Sequence, residues 1–173
     1  DKIWTTCMVG EGGTEPCRPW WNEWRALAGV RGKIVPMVRW YGFKNYITGL
    51  DRTYGTIPPV TETLRMLSQE PGPFYFILPS FGNPRNPDAY YSNPLPEQLR
   101  GLMHLVVAFG GRGLFFWTYQ TPFVDHDALV DPLSLRPLDQ KWEVLGRTAE
   151  QLARTADILA ECSWAGRYRF VDG

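Results

Sequence analysis

Apolar positions along this chain alternate between short strand-like runs and longer stretches with helical spacing. Lys2–Val9 (KIWTTCMV) is rich in β-branched and aromatic residues and ends at the loop GEGGTEPCRP. Pro19–Val30 (PWWNEWRALAGV) sets Trp20, Trp24 and Leu27 at helical spacing behind an early proline, which predicts a helix. Lys33–Tyr41 (KIVPMVRWY) is the second strand-like run, although Pro36 removes a ladder donor from it. After the polar loop Gly42–Ile57, a helix is predicted over Pro58–Gln69, with Val60, Leu64 and Leu67 on one face. Phe74–Leu78 (FYFIL) is apolar throughout, as suits a strand of a parallel sheet buried on both faces. The loop Pro79–Pro94 leads to the helix Pro96–Phe109, which repeats Leu99, Leu102, Met103 and Val106 and closes on Gly110-Gly111. Gly113–Gln120 (GLFFWTYQ) is the fourth strand. Beyond the loop Thr121–Asp139, a last helix is predicted over Trp142–Leu159, with Trp142, Leu145, Ala149, Leu152, Ala156 and Leu159 as its apolar stripe. The tail at Arg167–Val171 (RYRFV) alternates and reads as the start of a further strand.

The order βαβαβαβα implies parallel strands joined by right-handed helical crossovers. A complete (β/α)8 barrel usually needs about 250 residues. A chain of 173 residues with four units therefore predicts an α/β fold of four successive βα units, half of such a barrel and a fragment of a larger protein. The half-barrel is expected over residues 1–166, with 167–173 as a tail that opens a further domain. The long loops follow the strands, at Gly10, Gly42, Pro79 and Thr121, and in a barrel such loops build the active face. An open flavodoxin-like sheet is the alternative, but it calls for a compact Gly- or Ser-rich phosphate turn that none of these loops convincingly supplies.

Composition narrows the function classes. Lys+Arg and Asp+Glu both number 18, so the chain lacks the basic balance of a nucleic-acid or anionic-membrane binder. No run approaches the roughly 20 apolar residues of a membrane span. The first residue is Asp1 rather than Met, which leaves room for an upstream half. Cys7 and Cys17 are spaced to close a short disulfide loop in a secreted chain, leaving Cys162; three inert thiols are the other reading. His104 and His126 are too few and too far apart for a His-based metal site, and neither metal nor cofactor is expected.

From Pro73 to Trp164 the chain resembles the C-terminal part of glycoside-hydrolase-like TIM barrels, including those near the beta-galactosidase barrels. The residues that carry the resemblance are the strand PFYFILPSFG, the helix PLPEQLRGLMHLVVAFGGRG, the strand GLFFWTYQ, the segment LVDPLSLRP and the helix KWEVLGRTAEQLARTADIL. Residues 1–72 follow it only in the order of their units. The resemblance implies that the four strands are the fifth to eighth of a barrel. It also implies hydrolysis of glycosidic bonds, with the acid/base in an upstream half, and an oligosaccharide or glycoside as ligand.

Such chemistry usually needs two carboxyl groups flanking the scissile bond. At the end of the presumed seventh strand, where the family's nucleophile Glu stands, the sequence reads Ile77, Leu78, Pro79, Ser80, Phe81. That departure counts against the usual retaining mechanism. Glu11, in the loop after the first strand, is the nearest candidate catalyst, although its neighbours Gly10, Gly12 and Gly13 equally suit a tight turn. The acidic loop Asp125, His126 and Asp127 has the groups to hold a cation or polarise a base, and reads equally as a polar loop.

Sugar binding has the stronger signal. Trp40, Tyr41, Trp117, Tyr119 and Gln120 fall at or near strand C-termini, where flat rings with polar tips suit the C–H faces and hydroxyls of sugars. Lys44, Ser80, Asn83 and Arg85 stand beside them as hydrogen-bonding partners. Three readings follow: a glycoside hydrolase, a barrel that binds carbohydrate without cleaving it, and a half-barrel that covers its open edges with the remainder of the barrel or a second copy of the chain. A secreted or extracytoplasmic setting is the one in which Cys7 and Cys17 would pair.

Overall fold

The computed structural model describes residues 4–9, 34–39, 57–69, 74–85, 93–120 and 127–162. Their elements, in chain order, are β1 (Trp4–Val9), β2 (Ile34–Arg39), α1 (Ile57–Ser68), β3 (Tyr75–Pro79), α2 (Pro96–Ala108), β4 (Gly113–Trp117), α3 (Lys141–Arg154) and α4 (Ala156–Glu161). β3 and β4 pair in parallel, Tyr75 opposite Gly113 through Pro79 opposite Trp117. By backbone register, β2 joins the other edge of β3 and β1 joins β2, both in parallel.

The main core lies on one side of β3 and β4, and on the other face of β3 Ile77 is buried in a smaller cluster with Phe81 and Ala128. Phe74, Phe76 and Leu78 meet Val60, Leu64 and Leu67 of α1 and Leu99, Leu102, Met103 and Val106 of α2 in one buried cluster. The helical residues recur three or four positions apart, so each helix turns a single apolar stripe to the sheet. Each fully buried side chain of this size stabilises the fold by about 1.5–3 kcal/mol. The helix α2 begins at Pro96, where the missing N–H costs nothing, and Gln98 Oε1 accepts the Leu95 N–H at 2.7 Å.

Its other end is a Schellman turn. Gly110 takes φ of 89°, while the Gly110 and Gly111 N–H groups return to the carbonyls of Val107 and Val106. Arg112 N–H then donates to Phe74 O, which brings the chain directly into β4.

The described residues do not form four successive βα units, the half-barrel expected over residues 1–166. Side chains are described around a two-stranded parallel pair, β3 and β4, in which helix outweighs strand. No helix is described between β1 and β2, and β4 is followed by two helices rather than one. Apolar runs mark which segments pair and pack, but not where a helical ladder breaks, as it does at Thr155. Phe115 and Trp117, on the β4 face turned away from the helices, are 48% and 49% exposed. The tail 167–173 lies outside the described residues.

The predicted last helix is also two. Thr155 stands between α3 and α4 with φ of −112°, its N–H and its Oγ1 both donating to Leu152 O. A threonine bonded back to its own chain in this way competes with the helical ladder.

Candidate functional site

The C-terminal ends of β3 and β4 are locked together by backbone. Ser80 N–H donates to Trp117 O at 2.8 Å, and the fully buried Ser80 hydroxyl donates to Thr118 O at 3.0 Å. Gly82 and Asp127 exchange hydrogen bonds of 2.9 and 2.8 Å across an antiparallel bridge. Tyr119 O accepts from the N–H groups of Leu129 and Val130, and Gln120 bridges Val130. The loops after both strands are thus pinned to the strand ends.

Aromatic rings stand on this frame. Register puts Tyr75, Gly113, Phe115 and Trp117 on one face, opposite the helical core. The Tyr75 ring lies against Gly113, where an added Cβ would approach Cδ1 to 2.5 Å. It also meets Phe115 edge-on, with centroids 5.8 Å apart. Trp117 and Tyr119 are each 49% exposed, and Tyr119 meets Trp142 edge-on at 5.9 Å. Trp142, read from sequence as part of the apolar stripe of the last helix, is half-exposed at this surface instead.

Of the residues expected at a ligand site, the structure joins Ser80 to Trp117, and ties Tyr119 and Gln120 to the segment that begins at Asp127. Ser80 is buried with its hydroxyl engaged, so it supports the frame. Asn83 and Arg85 share one turn, Asn83 Oδ1 accepting the Arg85 N–H at 2.9 Å, and the Arg85 side chain is exposed. Glu11, Trp40, Tyr41, Lys44, Asp125 and His126 lie outside the described residues, as does Cys17. Cys162 is a free, exposed thiol. Among the described residues, no group of three or more His, Cys, Asp or Glu is placed to hold a metal ion, and no helix is long and apolar enough to cross a membrane.

Sequence reasoning missed a charged cluster behind the rings. Lys141, the first residue of α3, is fully buried. Its Nζ donates to Asn93 Oδ1 at 2.5 Å and pairs with Asp139 Oδ2 at 3.2 Å. Burial pushes the ammonium pKa below its ordinary value, while Asp139 and then Asp127 oppose that shift. The one sequence signal was the Asp-x-Lys spacing of Asp139 and Lys141 at a helix start. There, Asp139 Oδ1 accepts the Lys141 N–H at 2.7 Å. In the same loop the Asp131 carboxylate accepts the N–H groups of Ser134 and Leu133 and is held below the usual carboxylate range, chiefly by Ser134.

No family model, no curated protein and no solved structure matches the chain.

Proposed function

We propose that the strand-end surface around Trp117 and Tyr119 binds carbohydrate without cleaving it. The observation that carries this reading is a pair of half-exposed rings, each with a polar tip, fixed at the C-terminal end of a parallel strand pair. Parallel α/β sheets bind ligands outside the carboxyl ends of their strands. Rings of this kind offer an apolar face to sugar C–H groups and a donor at the rim. The exposed Arg85 and Gln120 side chains, on the loops leaving the same strands, supply hydrogen-bonding groups. The sequence resemblance of Pro73–Trp164 to glycoside hydrolases directs the choice of ligand class. Binding without cleavage is preferred because the end of β3 beside the rings, Ile77–Phe81, carries no carboxyl group, and glycoside hydrolysis usually needs two flanking the scissile bond.

The test is calorimetric titration of the chain with cello-, xylo- and mannohexaose. At least one should bind, and Trp117→Ala should weaken it by about 1–3 kcal/mol, the cost of losing an aromatic anchor. Unchanged affinity in the variant, or no binding of any hexaose, refutes the reading. Release of reducing ends by the pure chain overturns its non-hydrolytic part.

A further inference from the structure

We infer that Lys141 is a buried clamp that sets the two strand-to-helix loops of the ring surface and, through them, the position of Trp142 against Tyr119. The placement is costly by two general rules. A cation at a helix N-terminus opposes the macrodipole, and a fully buried ammonium loses its hydration. An apolar side chain of similar length is often no worse for stability at such a site. What the ammonium adds is direction.

Its hydrogen bond to Asn93 reaches the loop between β3 and α2, 48 residues away in sequence. Its ion pair with Asp139 holds the end of the loop between β4 and α3. Asp139 grips the same residue twice, accepting the Lys141 backbone N–H through Oδ1 and facing Nζ through Oδ2. Asp127 also acts on the ammonium electrostatically, and its backbone is bridged to Gly82 at the end of β3. Both loops therefore converge on one charge. The residue after the clamp is Trp142, whose ring meets Tyr119. Lys141 touches no solvent, so it acts through these neighbours as a positioning residue.

Its consequence for binding rests on the carbohydrate reading, and the experiment separates the two. Hydrogen exchange is followed by mass spectrometry on the full chain, as wild type, Lys141→Met and Asn93→Ala. The hexaose series is titrated against each. In Lys141→Met, amides of 97–99 and 127–131 should exchange at least about tenfold faster, while those of 76–78 and 102–106 hold their protection, the pattern of local rather than global opening. Asn93→Ala should loosen the same segments to a smaller degree, and carries the test alone if Lys141→Met does not fold. Affinity for the hexaose that binds wild type should fall by about tenfold in Lys141→Met, about 1.4 kcal/mol. Uniform acceleration across the core, or no acceleration at 97–99 and 127–131, overturns the clamp. Loosened loops with unchanged affinity leave the clamp standing and remove the Tyr119–Trp142 edge from the binding surface.

Discussion

Phe76 and Phe115 stand one register position apart on neighbouring strands and point to opposite faces, so truncating each measures how well its face is covered. Phe76 is fully buried among the α1 and α2 side chains, whereas Phe115 is 48% exposed. Phe76→Ala loses the whole transfer free energy and leaves a cavity that a close-packed core fills only in part, about 3–5 kcal/mol. At Phe115, about half of a 1.5–3 kcal/mol burial term is at stake and water fills the space. Losing the edge contact with the Tyr75 ring adds about 0.5–1.5 kcal/mol. The total for Phe115→Ala is therefore about 1–3 kcal/mol. Equilibrium urea unfolding at 25 °C reads the difference, because a small domain loses about 1–3 kcal/mol per molar urea. Domains of this size are stable by only about 5–15 kcal/mol, so Phe76→Leu and Phe115→Leu serve as milder companions with the same expected order. Equal losses at the two positions, or a larger loss at Phe115, would refute the difference in burial and mean that the outer face of β4 is as well covered at Phe115 as the inner face of β3 is at Phe76.

The glycines of α2 and its end should respond in opposite directions. Gly111→Ala puts a Cβ 2.5 Å from Val106 Cγ1 and 2.9 Å from Val106 O, against a fully buried neighbour, and should cost about 1–3 kcal/mol. Gly101→Ala, with open space around its Cβ in mid-helix, should gain about 0.5–1 kcal/mol; thermal melts that reverse this order would contradict the turn geometry. Because burial lowers the Lys141 pKa below 10.5 in the folded chain, the unfolded chain binds that proton more tightly. The stability of wild type relative to Lys141→Met should therefore rise with pH from the folded pKa up to 10.5, and a difference in urea midpoint that falls across that window would reverse the sign of the burial effect.

Much of the local structure was legible because it rests on spacing and turn chemistry. The apolar run Phe74–Leu78 becomes β3, and Gly110-Gly111 ends α2 where the pattern stopped, because a left-handed residue followed by two returning N–H groups is a local requirement. Pro36 did not prevent β2, in which it stands opposite Thr6. Two things were not legible. Helix periodicity ran through Thr155 because a stripe of apolar residues does not register a hydroxyl that bonds back to Leu152. The half-barrel fails because alternating runs count units without fixing them: no helix is described between β1 and β2, and the last run divides at Thr155.

The candidate site divides along the same line. Trp117 and Tyr119 stand out in sequence because a ring at a strand end is visible in one dimension. Helical spacing places Trp142 on the apolar stripe, yet it is half-exposed and meets Tyr119 edge-on. Lys141 was passed over for the converse reason. A lysine at the head of an amphipathic helix reads as solvated until Asn93, 48 residues earlier, is brought to its ammonium. Burial of a charge depends on contacts distant in sequence, and here that contact is made by Asn93 on the loop between β3 and α2. The exposed rings are therefore the groups most legible in sequence. Lys141 is hidden in sequence for the same reason that it is buried in the fold.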